Sequence, residues 1–182
     1  MAEHALMPMT VNEFLTWDDG TDTRYELADG ALVAMAPPSN VHGTVVGNAA
    51  LTIGTALRHR RPCRFQTEAG VRVDENTWWQ ADLAVTCTPI TAGSEIDRPT
   101  LLVEVLSPGT RMHDLGRKLI DYKTLPSVAE IWMIDSERRW VQHWRREAAG
   151  WIGQDFVGSA AFASATLAER VTLDQLYADS GL

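Results

Sequence analysis

The chain has 182 residues, of which 45% are hydrophobic and 22% charged, with a formal net charge of −8 and a pI of about 5.0. This length predicts one folded domain over residues 1–182. The acidic net charge argues against an extensive basic surface that binds nucleic acid electrostatically. No segment approaches the ~20 apolar residues of a membrane span, and the first residues lack the pattern of a signal peptide. We therefore expect a soluble, cytoplasmic protein.

The first third of the chain predicts a helix, a hairpin and a longer helix. The first helix spans residues 9–19, and Thr10 with Glu13 has the spacing of a capping box. A hairpin follows over residues 25–35, around a turn rich in Asp and Gly. Apolar residues then recur at helical spacing over residues 41–60.

The rest of the chain predicts three strands (64–73, 79–86 and 100–107), a helix (111–124) and a further strand (129–135). An antiparallel pair of strands (138–147 and 150–158) and a short helix (171–179) follow. Thr110 has the chemistry of an N-cap for the helix that begins at 111. This order lacks the strict alternation of a doubly wound fold. It predicts a mixed α/β fold of the α+β type with an added antiparallel β meander.

Two cysteines and seven tryptophans bear on assembly and compartment. Cys63 and Cys87 form neither a C-x-x-C pair nor a zinc pattern, so we expect buried free thiols in a reducing compartment. Trp140 and Trp144 share one strand face and form an apolar ribbon with Trp151. We assign this ribbon to packing within the meander, with a subunit interface as the alternative.

Basic residues gather in two places despite the acidic balance of the chain. We favour solvated surface over a nucleic-acid patch for both clusters. They comprise Arg58, His59, Arg60, Arg61 and Arg64, and then Arg138, Arg139, Arg145 and Arg146.

Glu104 lies in the most apolar strand of the chain, TLLVEVLS. Both faces of this strand are apolar, which predicts a central strand covered on both sides. A lone carboxylate in such a place is costly unless it is paired, protonated or bound to a cation. Asp82 interrupts the preceding strand in the same way, so the two acids can lie on neighbouring strands. Carboxylate oxygens are ligands that Mg²⁺ prefers, and we favour a metal site over two structural salt bridges.

Lys118 follows on the next predicted helix, where Asp114, Lys118 and Tyr122 share one face. An apolar stripe overlaps that face, so the ammonium lies at the edge of the core-facing side and can approach the acids. The alternative is an ordinary helix pair between Asp114 and Lys118, worth only ~0.3 to 0.5 kcal/mol.

A series of motifs in this order resembles the Uma-type endonuclease family of the PD-(D/E)XK superfamily, from about residue 9 to 160. The motifs are Y-E-L-A-D-G at 25–30, A-P-P-S-x-x-H at 36–42, A-D-L-A-V at 81–85, L-V-E-V-L-S-P-G-T-R at 102–111, D-x-x-x-K-x-x-x-Y at 114–122 and E-I-W-M-I-D at 130–135. The resemblance implies a restriction endonuclease-like core, in which helices flank a mixed central sheet. It also implies Mg²⁺-dependent hydrolysis of phosphodiester bonds, with Mn²⁺ as a substitute and DNA as the expected partner.

The resemblance also implies roles for individual residues. Asp82 and Glu104 match the two metal-binding acids, and Leu106 stands where the superfamily has its lysine. In the resembling family that lysine lies on the following helix, which makes Lys118 the candidate. A further departure is Ala81, which replaces the proline before the aspartate.

Glu26 and His42 match further polar positions of the family, and both have structural alternatives. Glu26 is expected to join the catalytic and metal site, or else to form a salt bridge with Arg24 or Arg64. His42 falls in the first turn of its predicted helix, where it suits phosphate contact or simple capping.

The competing functions are a catalytically silent nuclease-like module that binds nucleic acid or protein, and an oligomeric interaction protein. A homodimer is compatible with each of them, because two-fold symmetry suits the cutting of two strands.

Overall fold

The computed structural model describes residues 8–109 and 111–182. Its strands are β1 (Tyr25–Ala28), β2 (Ala31–Ala34), β3 (Arg64–Arg72), β4 (Trp78–Thr86), β5 (Leu101–Leu106), β6 (Glu130–Asp135), β7 (Trp140–Glu147), β8 (Gly150–Val157), β9 (Ala161–Ser164) and β10 (Glu169–Thr172). The helices are α1 (Val11–Phe14), α2 (Asn40–Leu57), α3 over residues 111–124 and α4 (Leu173–Leu176). Helix α3 contains a π-helical turn, Asp114–Lys118, between two α-helical segments.

Eight strands form one mixed sheet in the order β2-β1-β4-β5-β6-β7-β8, with β3 along the other edge of β4. Strands β5 and β6 run parallel, and the other pairs are antiparallel. One edge of β4 is shared between two neighbours. Trp78 pairs with β1, whereas Leu83–Val85 pair with β5. The sheet therefore forks between these two contacts.

Strand β5 is buried along its whole length, which confirms the prediction of a central strand covered on both faces. Leu101, Val103 and Val105 pack in a cluster with α2 and with the C-terminal elements β9, β10 and α4. Leu102 and Leu106 pack in a second cluster with α3. The alternation of side chains along a strand thus sends Glu104 to the α3 face.

The N-terminal capping box is confirmed, because Thr10 accepts a hydrogen bond from the Glu13 N–H and Glu13 accepts one from the Thr10 N–H. Helix α1 is nevertheless one turn long, shorter than the predicted 9–19. The small β9–β10 hairpin was not predicted, and the expected helix at 171–179 is reduced to α4. The expected N-cap Thr110 lies outside the described residues.

The prediction of free thiols is wrong, because Cys63 and Cys87 form a disulfide. The register of β3 and β4 explains the pairing. Arg64 lies opposite Thr86, so the next residues outward, Cys63 and Cys87, are brought together at the open end of this pair.

The tryptophans of the meander pack as predicted, since Trp140, Trp144 and Trp151 are partly buried against the α3-side cluster. Among the helices of the described segments, none has the combination of length and apolarity needed to cross a bilayer.

Candidate active site in the fork of the sheet

The fork leaves backbone groups of β4 and β5 without strand partners, and acidic side chains take their place. Glu26 Oε1 on β1 accepts a hydrogen bond from the Gln80 N–H at 2.9 Å. Asp82 Oδ2 accepts one from the Val105 N–H at 2.6 Å. Buried backbone donors need acceptors, so these two carboxylates are fixed by the same feature that opens the sheet.

Lys118 enters the fork from α3. Its Nζ lies 2.7 Å from Glu26 Oε1, 3.4 Å from Glu104 Oε1 and 3.6 Å from Asp114 Oδ1. It also donates to the Gln80 carbonyl at 3.3 Å. The Lys118 side chain is 5% exposed, so one buried ammonium is held among three acids.

Burial dominates the electrostatics of Glu104. It raises the pKa of this carboxyl group, Lys118 lowers it, and Asp82, Asp114 and Glu26 raise it, which leaves the pKa well above its usual value. Tyr122 donates its hydroxyl to Glu104 Oε1 at 2.6 Å. Burial and the nearby Glu104 raise the pKa of Tyr122 in turn, so this phenol remains a donor.

The pKa of Lys118 is shifted in the opposite direction from that of an isolated buried lysine. Burial lowers its pKa, but Glu104, Glu26 and Asp114 outweigh burial and raise it above the ordinary lysine value. These acids therefore favour the protonated ammonium, which donates hydrogen bonds.

His42 contacts the acid on the outer side of the fork. Its Nε2 lies 3.4 Å from Asp82 Oδ2. Burial lowers the pKa of His42, but the hydrogen bond and charge of Asp82 outweigh burial and raise it. The imidazolium form is thus favoured beside Asp82.

The five site residues expected from sequence all line one cleft of about 470 Å³: Glu26, His42, Asp82, Glu104 and Lys118. The expected alternative for Glu26 does not hold, because Arg24 pairs with Glu68 and Glu26 pairs with Lys118. The catalytic and metal roles assigned to the five residues stay predictions.

Two residues of the cluster were not assigned to the site from sequence. Asp114 was considered as a helix partner of Lys118, and Tyr122 as a residue on the same helix face, but neither was given a role in the site. The i, i+4, i+8 spacing was the available signal, because it places both on the face that carries Lys118.

A divalent cation fits the donor chemistry of the cleft. Four acids, Glu26, Asp82, Glu104 and Asp114, line the cleft together with Lys118, so acidic groups outnumber the ammonium. Across residues 8–109 and 111–182, no three His, Cys, Asp or Glu side chains are grouped closely enough to hold a metal by themselves. Mg²⁺ suits this arrangement, because it commonly takes one or two carboxylates and fills its remaining positions with water and substrate oxygens.

The second arginine cluster is occupied by structural contacts. Arg138 pairs with Asp135, Arg139 with Asp174, and Arg145 with Glu147, whereas Arg146 donates to backbone carbonyls. These partners agree with the preference for solvated surface over a nucleic-acid patch.

Comparison with known proteins finds a family model, a relative and a solved structure that are similar to this chain. The family model described as "Uma2: Putative restriction endonuclease" matches residues 11–174. The "Uncharacterized protein slr1290" of Synechocystis sp. is 24% identical over 174 residues, covering 93% of this chain and 91% of the relative. The crystal structure of "a putative nuclease belonging to DUF820" from Anabaena variabilis superimposes with a TM-score of 0.76 at 18% identity, covering 93% of this chain and 98% of that chain. The expected fold, a mixed sheet flanked by helices as in that nuclease, is confirmed.

Proposed function

The chain belongs to the Uma2 family, described as "Putative restriction endonuclease", and from this premise we propose that it is a Mg²⁺-dependent endonuclease that hydrolyses phosphodiester bonds of DNA. The observation that carries the proposal is the contact of Lys118 Nζ with Glu104 Oε1 at 3.4 Å. This contact supports the assignment of Lys118, on α3, as the counterpart of the superfamily's lysine, whose usual position on the strand is taken here by Leu106.

Asp82 and Glu104 would hold the cation, together with the backbone carbonyl beside Glu104. When bound, such a cation acts as a Lewis acid toward a phosphoryl oxygen and makes water a stronger nucleophile. Mn²⁺ offers the same preference for oxygen ligands and would substitute. Glu26 is a further metal-ligand candidate, although its Oε1 is engaged by Lys118 and Gln80.

Lys118 supplies positive charge and hydrogen-bond donors where negative charge develops on the phosphate. Because its ammonium is already held by Glu26, little reorganisation is needed during the reaction, and a preorganised donor of this kind is effective in a buried site. Glu26 is then a positioning residue for the lysine. The imidazolium of His42, next to Asp82, would contact a phosphate oxygen at the outer side of the cleft.

We also propose that the protein is a homodimer. Its mass in solution, measured by light scattering, tests this without reference to activity. A monomer at working concentration would contradict it.

The test of function is a plasmid-nicking assay combined with metal titration. We expect nicking that requires Mg²⁺ or Mn²⁺ and that falls by about 10²–10³-fold in Lys118→Ala, the usual cost of losing one preorganised donor. Calorimetry should detect cation binding in the wild type and its loss in Asp82→Asn and Glu104→Gln.

Two control variants distinguish the loss of a site residue from the general effect of removing a charge from the protein. Lys123→Ala removes a lysine from the same helix outside the cleft, and Asp155→Asn neutralises an exposed acid on β8. Both should nick and bind metal like the wild type. Equal nicking by wild type and Lys118→Ala would indicate a contaminant, and no cation binding at millimolar metal would leave the silent nuclease-like module as the function.

A further inference from the structure

Glu104 and Lys118 lie deep in the cleft, whereas the Asp82 side chain is 23% exposed. The side chains of Glu104 and Lys118 are 4% and 5% exposed. The cleft that leads to them has a volume of about 470 Å³, within the ~300–1,000 Å³ of pockets that enclose one small-molecule ligand. A phosphate group that contacts Lys118 therefore has to enter the cleft.

The charge of the lining limits the number of phosphates that the cleft can hold. Among the described residues that line the cleft, two are Arg or Lys, namely Arg24 and Lys118, and five are Asp or Glu: Glu26, Glu68, Asp82, Glu104 and Asp114. Arg24 is itself paired with Glu68. Binding to several phosphates at once depends on several cationic side chains that neutralise them, and the lining of this cleft offers no such excess of positive charge.

The rest of the cleft has an apolar wall. Met35, Ala36, Pro37 and Pro38, between β2 and α2, line it together with Val46. Ala36, Pro37 and Pro38 are exposed and available to a ligand. Enzymes that act on an unpaired nucleotide commonly hold its base among apolar side chains, whereas a base inside a duplex cannot reach such a wall.

We infer that the cleft takes one unpaired nucleotide of a single-stranded nucleic acid, with its base on the wall of residues 35–38 and its phosphate toward Asp82 and Lys118. This inference rests on the proposed function and narrows its substrate from DNA in general to single strands or unpaired segments. A continuous duplex is a poor substrate, because a base pair must open before the nucleotide can enter.

Two glycines of α2 offer a matched pair of probes. Gly43 lines the cleft and Gly47, four residues on, does not. A Cβ atom at either position meets nothing within 4 Å, so both sites accept a side chain without a clash inside the protein. Gly43→Leu therefore narrows the cleft, and Gly47→Leu adds the same side chain to the same helix outside it.

The experiment measures fluorescence anisotropy of a labelled DNA single strand and of the same strand in a duplex, with Ca²⁺ replacing Mg²⁺. We expect the wild type to bind the single strand about tenfold or more tightly than the duplex, because unpairing opposes entry of a paired nucleotide. We expect Gly43→Leu to weaken single-strand binding by about tenfold or more, the usual scale for obstructing a shaped pocket, and Gly47→Leu to bind normally. Thermal unfolding of both variants shows that they are folded.

Three results overturn the inference: duplex binding as tight as single-strand binding, an unchanged affinity in Gly43→Leu, or no binding of either DNA. The proposed function fails on a different result. Selective single-strand binding without metal-dependent cleavage would retain the cleft assignment and reject the nuclease, whereas equal cleavage of both DNAs would retain the nuclease and reject the substrate inference.

Discussion

Glu104 and Asp135 are buried acids on the neighbouring parallel strands β5 and β6, yet their surroundings differ. Asp135 accepts two hydrogen bonds from Arg111, at 2.6 and 2.7 Å, and further ones from Arg138 and the Glu137 N–H. Burial raises the pKa of Asp135, but these donors outweigh burial and lower it. Glu104 shares a single lysine with two other acids, and its pKa is raised.

The difference separates a structural acid from a candidate functional one. A carboxylate whose charge is fully matched stabilises the fold and has no electrostatic reason to bind anything else. A carboxylate in a group of acids with too little positive charge is a favourable place for a cation or for proton exchange. Burial and strand position alone do not distinguish the two, because both side chains are almost fully buried.

The largest expected effect on stability is that of Asp135→Asn. The amide cannot accept from all the donors of Arg111 and Arg138, so charge-assisted hydrogen bonds are lost around a buried group. Because both arginines keep partial access to solvent, we expect a loss of about 2–3 kcal/mol in the free energy of unfolding, measured with urea. A loss below about 0.5 kcal/mol, the range of ordinary surface changes, would contradict this description of Asp135.

Glu104→Gln should have a smaller effect of the opposite sign. The amide oxygen can still accept from Tyr122, Lys118 keeps Glu26 and Asp114, and one of the three acids that share a single ammonium is removed. We expect a free energy of unfolding between the wild-type value and about 1 kcal/mol above it at neutral pH. The same urea titration, with Asp155→Asn as the surface control, makes the comparison. Destabilisation as large as that of Asp135→Asn would mean that the two acids do not differ.

The smallest effect concerns pH. The folded pKa of Asp135 lies below its reference value of 3.8, so its stabilisation is complete above about pH 4 and is lost as the pH falls through the folded pKa. The stability gap between wild type and Asp135→Asn should therefore shrink on acidification. Urea titrations of both proteins from pH 7 downward measure the gap. A gap that stays constant or widens below pH 4 would show that the folded pKa is not lowered.

The main features of the candidate site could be predicted from sequence because they depend on local rules. Alternation along β5 places Glu104 on one face, and helical spacing places Lys118 beside Asp114 and Tyr122. These rules also suffice for the central position of β5. The fork between β1 and β5 was not predictable, because the sequence of β4 does not indicate which distant strand pairs with each part of it.

The sequence did not predict the β9–β10 hairpin or the disulfide, and each has an identifiable physical reason. The β9–β10 hairpin is rich in Ala, which carries little strand signal, and tertiary packing against the α2 side stabilises it. The disulfide was missed although strands over residues 64–73 and 79–86 were predicted. If these two strands are paired about residue 75, Cys63 lies opposite Cys87.

The π-helical turn of α3 separates two α-helical segments of the same helix, and each segment is held by different contacts. Leu119 and Tyr122 fix the phase of the following turns through the core, and Asp114 fixes that of the preceding turn through the cleft. Each residue of an α-helix advances the phase by about 100°. A π-helical turn holds one residue more than the α-helical turn it replaces, so removing Gly116 would restore a continuous α-helix and leave the turns on either side with nearly the same phase. The deletion would bring Asp114 and Lys118 one position closer in sequence and change how these two side chains meet in the cleft, without altering the sheet.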